Sequence, residues 1–150
     1  MSEDGCSSAP IAPPDRDLHL VEPALPTAPR LVRQELRDWL VALCWPDDDL
    51  DDLVAAVDEA VSNVVDHAYR AQPEPGEVRV RAGVSAADGH RWVVVSVDDR
   101  GRWRPVPPDP GHRGRGLHMM STCVATMRIE QGEHGTSVTL TSAPVAEPAG

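Results

Sequence analysis

The chain has 150 residues, with 14 basic side chains against 24 acidic ones and a formal net charge of -10. That length suits one domain burying roughly 70% of its unfolded surface. The negative balance disfavours nucleic acid and anionic membranes, which reward clustered positive charge. All 14 basic residues are arginine. A GxxxxGKS or GxxxxGKT phosphate loop is therefore excluded, as are a Schiff-base lysine and the strand lysine of protein kinases.

With no Phe, one Tyr and four Trp, the core must be built mainly from Val, Leu and Ala. The three cysteines, Cys6, Cys44 and Cys123, are scattered and odd in number, which argues against a disulfide framework or a structural zinc site. Cys44 and Cys123 read as small core residues. No apolar run approaches the roughly 20 residues that span a bilayer, and the polar N-terminus is no signal peptide. The cytoplasm is the expected compartment.

In chain order, residues 1–16 (MSEDGCSSAPIAPPDR) read as a disordered arm, 17–142 as the folded domain and 143–150 as a flexible tail. DLHLVEP suits a short first strand, with Leu18 and Leu20 on one face. Prolines 23, 26 and 29 punctuate a loop in which Thr27 is a candidate N-cap. A helix over about 30–44 follows from the spacing of Val32, Leu36, Leu40 and Leu43.

Pro46 and the acidic run DDDLDD break that helix and start the next. The strongest helix spans about 50–70, with Leu53, Val57, Ala60, Val61, Val64 and Ala68 on one face. QPEPG ends it. EVRVRAGVS and RWVVVSVDD are strand-like, and Asp88-Gly89 between them is a good hairpin turn. The second of these runs reads as a central buried strand. Residues 100–115 form a long loop with four prolines and three glycines; about 102–115 is expected to be mobile without a ligand and ordered with one, the alternative being a static surface loop pinned by Trp103 and Val106. GLHMMSTCVA suits a short helix, and TMRIEQ, GEHG and TSVTLTS a final hairpin.

Three clusters carry chemistry. Glu59, Asn63 and His67 recur every four residues along the long helix, forming one stripe beside its apolar face. A carboxylate there can orient a water or a hydroxyl, and an amide oxygen one turn on can coordinate a hard cation such as Mg²⁺. The same stripe also suits a solvated polar face, with His67 as a packing residue.

In VSVDDRGRW a strand runs into Asp98 and Asp99 and then Gly101. A strand-end carboxylate can accept from the 6-amino group of adenine, and a glycine lets the ring approach the backbone. Ordinary hairpin grammar gives the same letters. In GHRGRGLHMM, Gly111, Gly114 and Gly116 surround Arg113 and Arg115 before a helix, an arrangement that suits phosphate or a plain solvent loop.

The order ExxxN, DxG, GxGL and finally Gly135-Thr136 resembles the Bergerat nucleotide fold of the GHKL superfamily, which includes gyrases, heat-shock chaperones, histidine kinases and mismatch-repair ATPases. The wording EAVSNVVDHAYR resembles most the anti-sigma-factor serine/threonine kinase branch. The likeness covers roughly 18–141. It implies an α+β two-layer sandwich, with a mixed, largely antiparallel sheet and helices on one face.

By the same resemblance Glu59 is the general base and Asn63 holds Mg²⁺. Asp99 reads adenine, with Gly101 beside it and Thr136 nearby. Gly114, Arg115, Gly116 and Leu117 belong to the lid over the phosphates. The family's second DxGxG glycine is Trp103 here. The implied function is an ATP-binding regulator that phosphorylates a serine or threonine of an antagonist protein and sequesters a sigma factor. Those two proteins, and a second copy of the chain, are the expected partners. The alternative is a non-catalytic, ATP-dependent binding switch.

Overall fold

Alternation along the strands decides which side of the sheet is covered. The computed structural model describes residues 16–70, 72, 76–101 and 120–148. Its six strands are β1 (Asp17–Pro23), β2 (Glu77–Ala87), β3 (His90–Asp99), β4 (Thr126–Gly132), β5 (Gly135–Thr141) and β6 (Val145–Ala146). They form one sheet in the order β1-β2-β3-β5-β4, with β6 also on β3. Every described pairing is antiparallel, so the largely antiparallel sheet expected is wholly so among these residues.

On one face Val78, Val80 and Ala82 of β2 meet Val93, Val95 and Val97 of β3 and Val138 and Leu140 of β5, all buried. Leu18 and Leu20 extend that face onto β1. The other face carries Arg79, Arg81, Ser96, Asp98, Ser137 and Thr139, the register partners of the opposite phase. β3 is therefore central as expected but buried on one side only. Its Trp92 and Val94 remain half-buried.

The helices α1 (Ala28–Ala42) and α2 (Asp47–Asn63) cover the apolar face. Leu36, Leu40, Leu50, Leu53, Val57 and Val61 are at most 1% exposed, each large side chain contributing about 1.5–3 kcal/mol by burial. Arg33–Asp58 at 2.9 Å and Arg37–Asp51 at 3.0 Å tie α1 to α2 on the outside. Thr27 occupies the N-cap position of α1 with helical dihedrals and no side-chain cap hydrogen bond, so Pro29 in the first turn, not the threonine hydroxyl, favours the start. Likewise Pro46 precedes α2, whose first turn carries Asp47, Asp48 and Asp49. They complement the helix dipole.

The hairpin turn falls where expected, with Asp88 at φ 54° and Gly89 at φ 78°. Where 143–150 reads as a loose tail, Val145–Ala146 instead forms β6 on β3. Ser142 makes this possible, because its Oγ accepts from Val93 N–H and its own N–H donates to the Val93 carbonyl, both at 2.9 Å. Cys44, read as a free core residue, is half-buried and disulfide-bonded. Cys123 is a free thiol. No described helix is long and apolar enough to cross a membrane.

Candidate nucleotide site

The last inward-facing residue of β3 is Asp99, and its register partner on β5 is Thr136. Period-2 alternation puts both on the face that carries Val97 and Val138. They are 6% and 4% exposed. A carboxylate and a hydroxyl thus end an otherwise apolar surface side by side.

Two glycines make this closure possible. A Cβ on Gly101 would overlap the carbonyl of Ala68, so the turn after β3 lies directly on the end of the helical layer. Gly101 N–H donates to Asp99 Oδ1 at 2.8 Å and fixes the carboxylate. Gly135 sits at φ 135°, a conformation that favours glycine, and a Cβ there would overlap the Asp99 carbonyl. The Gly-Thr pair therefore acts as a unit, with Gly135 providing the close approach that sets Thr136 opposite Asp99.

Asp99 and Thr136 are also at the edge of a cleft of about 770 Å³, but much of its wall is the opposite face of the sheet, with Arg79, Arg81, Asp98 and Ser137, together with Tyr69 and the β4–β5 turn. That size is within the usual range of small-molecule pockets. Glu59 and Asn63 are not among its described lining residues. They lie one turn apart on α2, which packs on β3 and β5, and both are half-buried. Burial raises the Glu59 carboxyl above its ordinary value, with the charges of Asp58 and Asp66 adding in that order. A carboxylate shifted this way is a stronger base.

Asn63 is the last residue of α2. From Val64 to Ala68 the backbone widens into π-helical turns, which ends the strict four-residue stripe, so His67 does not continue the line of Glu59 and Asn63. His67 is half-buried, and its Nδ1 lies 3.2 Å from Arg70 Nη2. Such wide turns occur often at functional sites. Here the segment delivers the Ala68 carbonyl to Gly101.

The structure therefore brings Asp99, Gly101, Gly135 and Thr136 together and sets Glu59 and Asn63 on the helix covering the same sheet. Gly114, Arg115, Gly116 and Leu117 lie outside the described residues, as does Trp103. Sequence reasoning missed Tyr69, whose hydroxyl bonds to the backbone on either side of the site. The available signal was a lone tyrosine directly after the ExxxN helix, because a half-buried phenol takes a hydrogen-bond partner.

Residues 22–142 match the family model of the histidine kinase-like ATPase domain. The serine-protein kinase RsbW of Bacillus licheniformis is 32% identical over 136 residues, covering 83% of each chain. The protein of the same name from Bacillus subtilis is 30% identical over 133 residues, covering 79% of this chain and 80% of its own. Among solved structures, the RsbU and RsbW domains of a Mycobacterium tuberculosis protein superpose with a TM-score of 0.68 at 35% identity. That match covers 89% of this chain and 33% of the other, so the chain spans about a third of that protein's length.

Proposed function

The chain belongs to the histidine kinase-like ATPase family, whose model covers residues 22–142, and from that premise we propose that it is an ATP-dependent serine/threonine kinase of the anti-sigma-factor type. The acting unit is residues 17–142. Its substrate is a serine or threonine of an antagonist protein, and it holds a sigma factor when that antagonist is not engaged. The relatives named serine-protein kinase support this reading.

The observation that carries it is the buried Asp99–Thr136 pair, set side by side on the helix-covered face by the close approaches of Gly101 and Gly135. Asp99 accepts from the exocyclic amine of adenine, and Thr136 lies beside the base. Asn63 offers an amide oxygen to Mg²⁺. Among the described residues no cluster of three or more His, Cys, Asp or Glu could hold a metal. One protein ligand suits Mg²⁺, which keeps waters and takes nucleotide phosphates as its other ligands. When bound, the cation neutralises charge that develops on the phosphates.

In the transfer, the substrate hydroxyl oxygen bonds to the γ-phosphorus as the bond to the β–γ bridging oxygen breaks, and ADP leaves. Glu59 takes the hydroxyl proton. Its raised pKa suits that role because it holds the proton more firmly than an ordinary carboxylate. Gly114, Arg115, Gly116 and Leu117 cover the phosphates. Positioning and charge neutralisation supply most of the catalysis in such transfers, so few residues suffice.

Incubation with γ-labelled ATP, Mg²⁺ and a co-purified partner tests the proposal. Label appearing on a serine or threonine of the partner is the expected result. ATP binding with no label transferred leaves a binding switch in place of a kinase.

A further inference from the structure

The turn that carries Asp99 is held by a single phenol from the helical layer. Arg100 N–H donates to Tyr69 Oη at 2.9 Å, and the same hydroxyl donates to the Glu77 carbonyl at 2.7 Å. Its donor and one acceptor position are both used. The Tyr69 ring lies on Gly76, where a Cβ would overlap Cε1 and Cζ. Gly76 is itself held by the Ala24 N–H, which donates to its carbonyl at 2.8 Å.

One residue before the tyrosine, the Ala68 carbonyl meets Gly101. The short turn 99–101 is thus gripped by two consecutive residues at the end of the helical layer. Gly101 in turn fixes the carboxylate of Asp99.

We propose that Tyr69 is a positioning residue for adenine recognition: its hydroxyl fixes the Arg100 amide and thereby the direction from which the Asp99 carboxylate meets the exocyclic amine of the base. The inference rests on the reading of Asp99 as the adenine-recognising group. Burial, the largest influence, raises the phenol above its ordinary value. The hydroxyl therefore stays protonated, and stays a donor to Glu77, at neutral pH. Without it the Arg100 amide and the Glu77 carbonyl lose a shared partner, and the turn gains freedom at the residue beside Asp99.

Calorimetric titration of Tyr69→Phe with ATP and with inosine triphosphate, which lacks the amine, tests the proposal. ATP should bind roughly threefold to tenfold more weakly, the usual effect of one lost neutral hydrogen bond. Inosine triphosphate should bind as to the parent. In an Asp99→Asn background the Tyr69→Phe change should have no further effect on ATP, because the hydroxyl acts through that carboxylate. Gly76→Ala, which pushes the ring aside with the hydroxyl intact, should reproduce the ATP-selective loss and serves if Tyr69→Phe folds poorly.

Equal weakening of both nucleotides overturns the proposal, as does a loss that adds in full to that of Asp99→Asn. An unchanged ATP-to-inosine-triphosphate preference in Tyr69→Phe overturns it while the role of Asp99 stands. If Asp99→Asn itself leaves ATP affinity unaltered, the adenine reading fails first and the proposal fails with it.

Discussion

β3 carries a buried charged side chain at each end of the same face. Asp99 is 6% exposed and Arg91 7%. Arg91 Nη2 donates to the Cys44 carbonyl at 3.0 Å, and the guanidinium lies 4.3 Å from the centre of the Trp45 ring. Cys44 leaves α1 at φ 58°, so the arginine satisfies a carbonyl freed where the helix ends. Desolvation, followed by the charge of Arg16, lowers the Arg91 pKa, while Glu147 opposes the shift. Arg91 Nε and Trp45 Nε1 are buried without a hydrogen-bond partner. That end of the strand is closed by protein groups.

At the other end the turn glycine fixes one carboxylate oxygen, and the nearby cleft opens mainly on the opposite face of the sheet. Burial alone does not distinguish the two. What each charge faces is the proposed difference, a structural clamp at Arg91 against a recognition group at Asp99.

The largest expected effect lies on α2. Glu59→Ala should cut phosphotransfer by about 10²–10⁴-fold with nucleotide affinity nearly intact. A parental rate in single-turnover assays would return Glu59 to a solvated stripe. The raised pKa also fixes signs. The native carboxyl holds its proton more firmly than the unfolded one, whose reference value is 4.5. Its contribution to stability is therefore present below that value and lost as pH rises through the folded pKa. Glu59→Gln should accordingly unfold at higher temperature than the parent at pH 7. The acid limb of the parent's transfer rate should lie above the ordinary glutamate value.

Next in size is a matched pair of glycines. Gly135→Ala combines left-handed strain with overlap against the Asp99 backbone and should cost about 2–5 kcal/mol, with ATP binding falling in parallel. Gly89, in the hairpin beside Arg91, has φ 78° but open space around a Cβ. Gly89→Ala should cost only the strain, about 1–2 kcal/mol, and leave ATP binding alone. Denaturant unfolding and nucleotide titration of both variants measure the contrast.

Asp99→Asn should weaken ATP by about 1–3 kcal/mol, the cost of mispairing a buried polar group. The smallest effect belongs to Arg91. Arg91→Met loses the Cys44 contact but also removes a buried cation with an unsatisfied Nε, so stability should move by no more than about 1.5 kcal/mol in either direction. ATP affinity should not change. A Kd shift in Arg91→Met comparable to that of Asp99→Asn would erase the distinction between the two ends.

Much of this contrast was legible in residue spacing. The apolar positions expected on α2 are all buried, and the Asp-Gly turn and both hairpins form where their turn residues lie. The pairing of Asp99 with Thr136 was only half legible. The motifs named both residues, but it takes the β3–β5 register to put them opposite one another. The π-helical turns after Asn63 left no trace, because hydrophobic periodicity at 3.6 residues per turn hardly differs over one widened turn.

Ser142 explains the miss at β6, since a side-chain bond to Val93 continues the ladder across a break that reads as a tail. Arg91 was invisible for a related reason. Its carbonyl partner and the Trp45 ring come from the end of α1, far away in the chain. The lid assignments at Gly114, Arg115, Gly116 and Leu117 lie outside the described residues.

Hydrogen exchange with and without saturating Mg-ATP tests the central claim most directly, because it reads both ends of β3 in one experiment. Nucleotide should raise protection at residues 99–101 and 135–136 and across 111–117. It should leave 90–93 and 142–146 unchanged. Equal change at the two ends, or none at the Asp99 end, would contradict the assignment of that end as the nucleotide site.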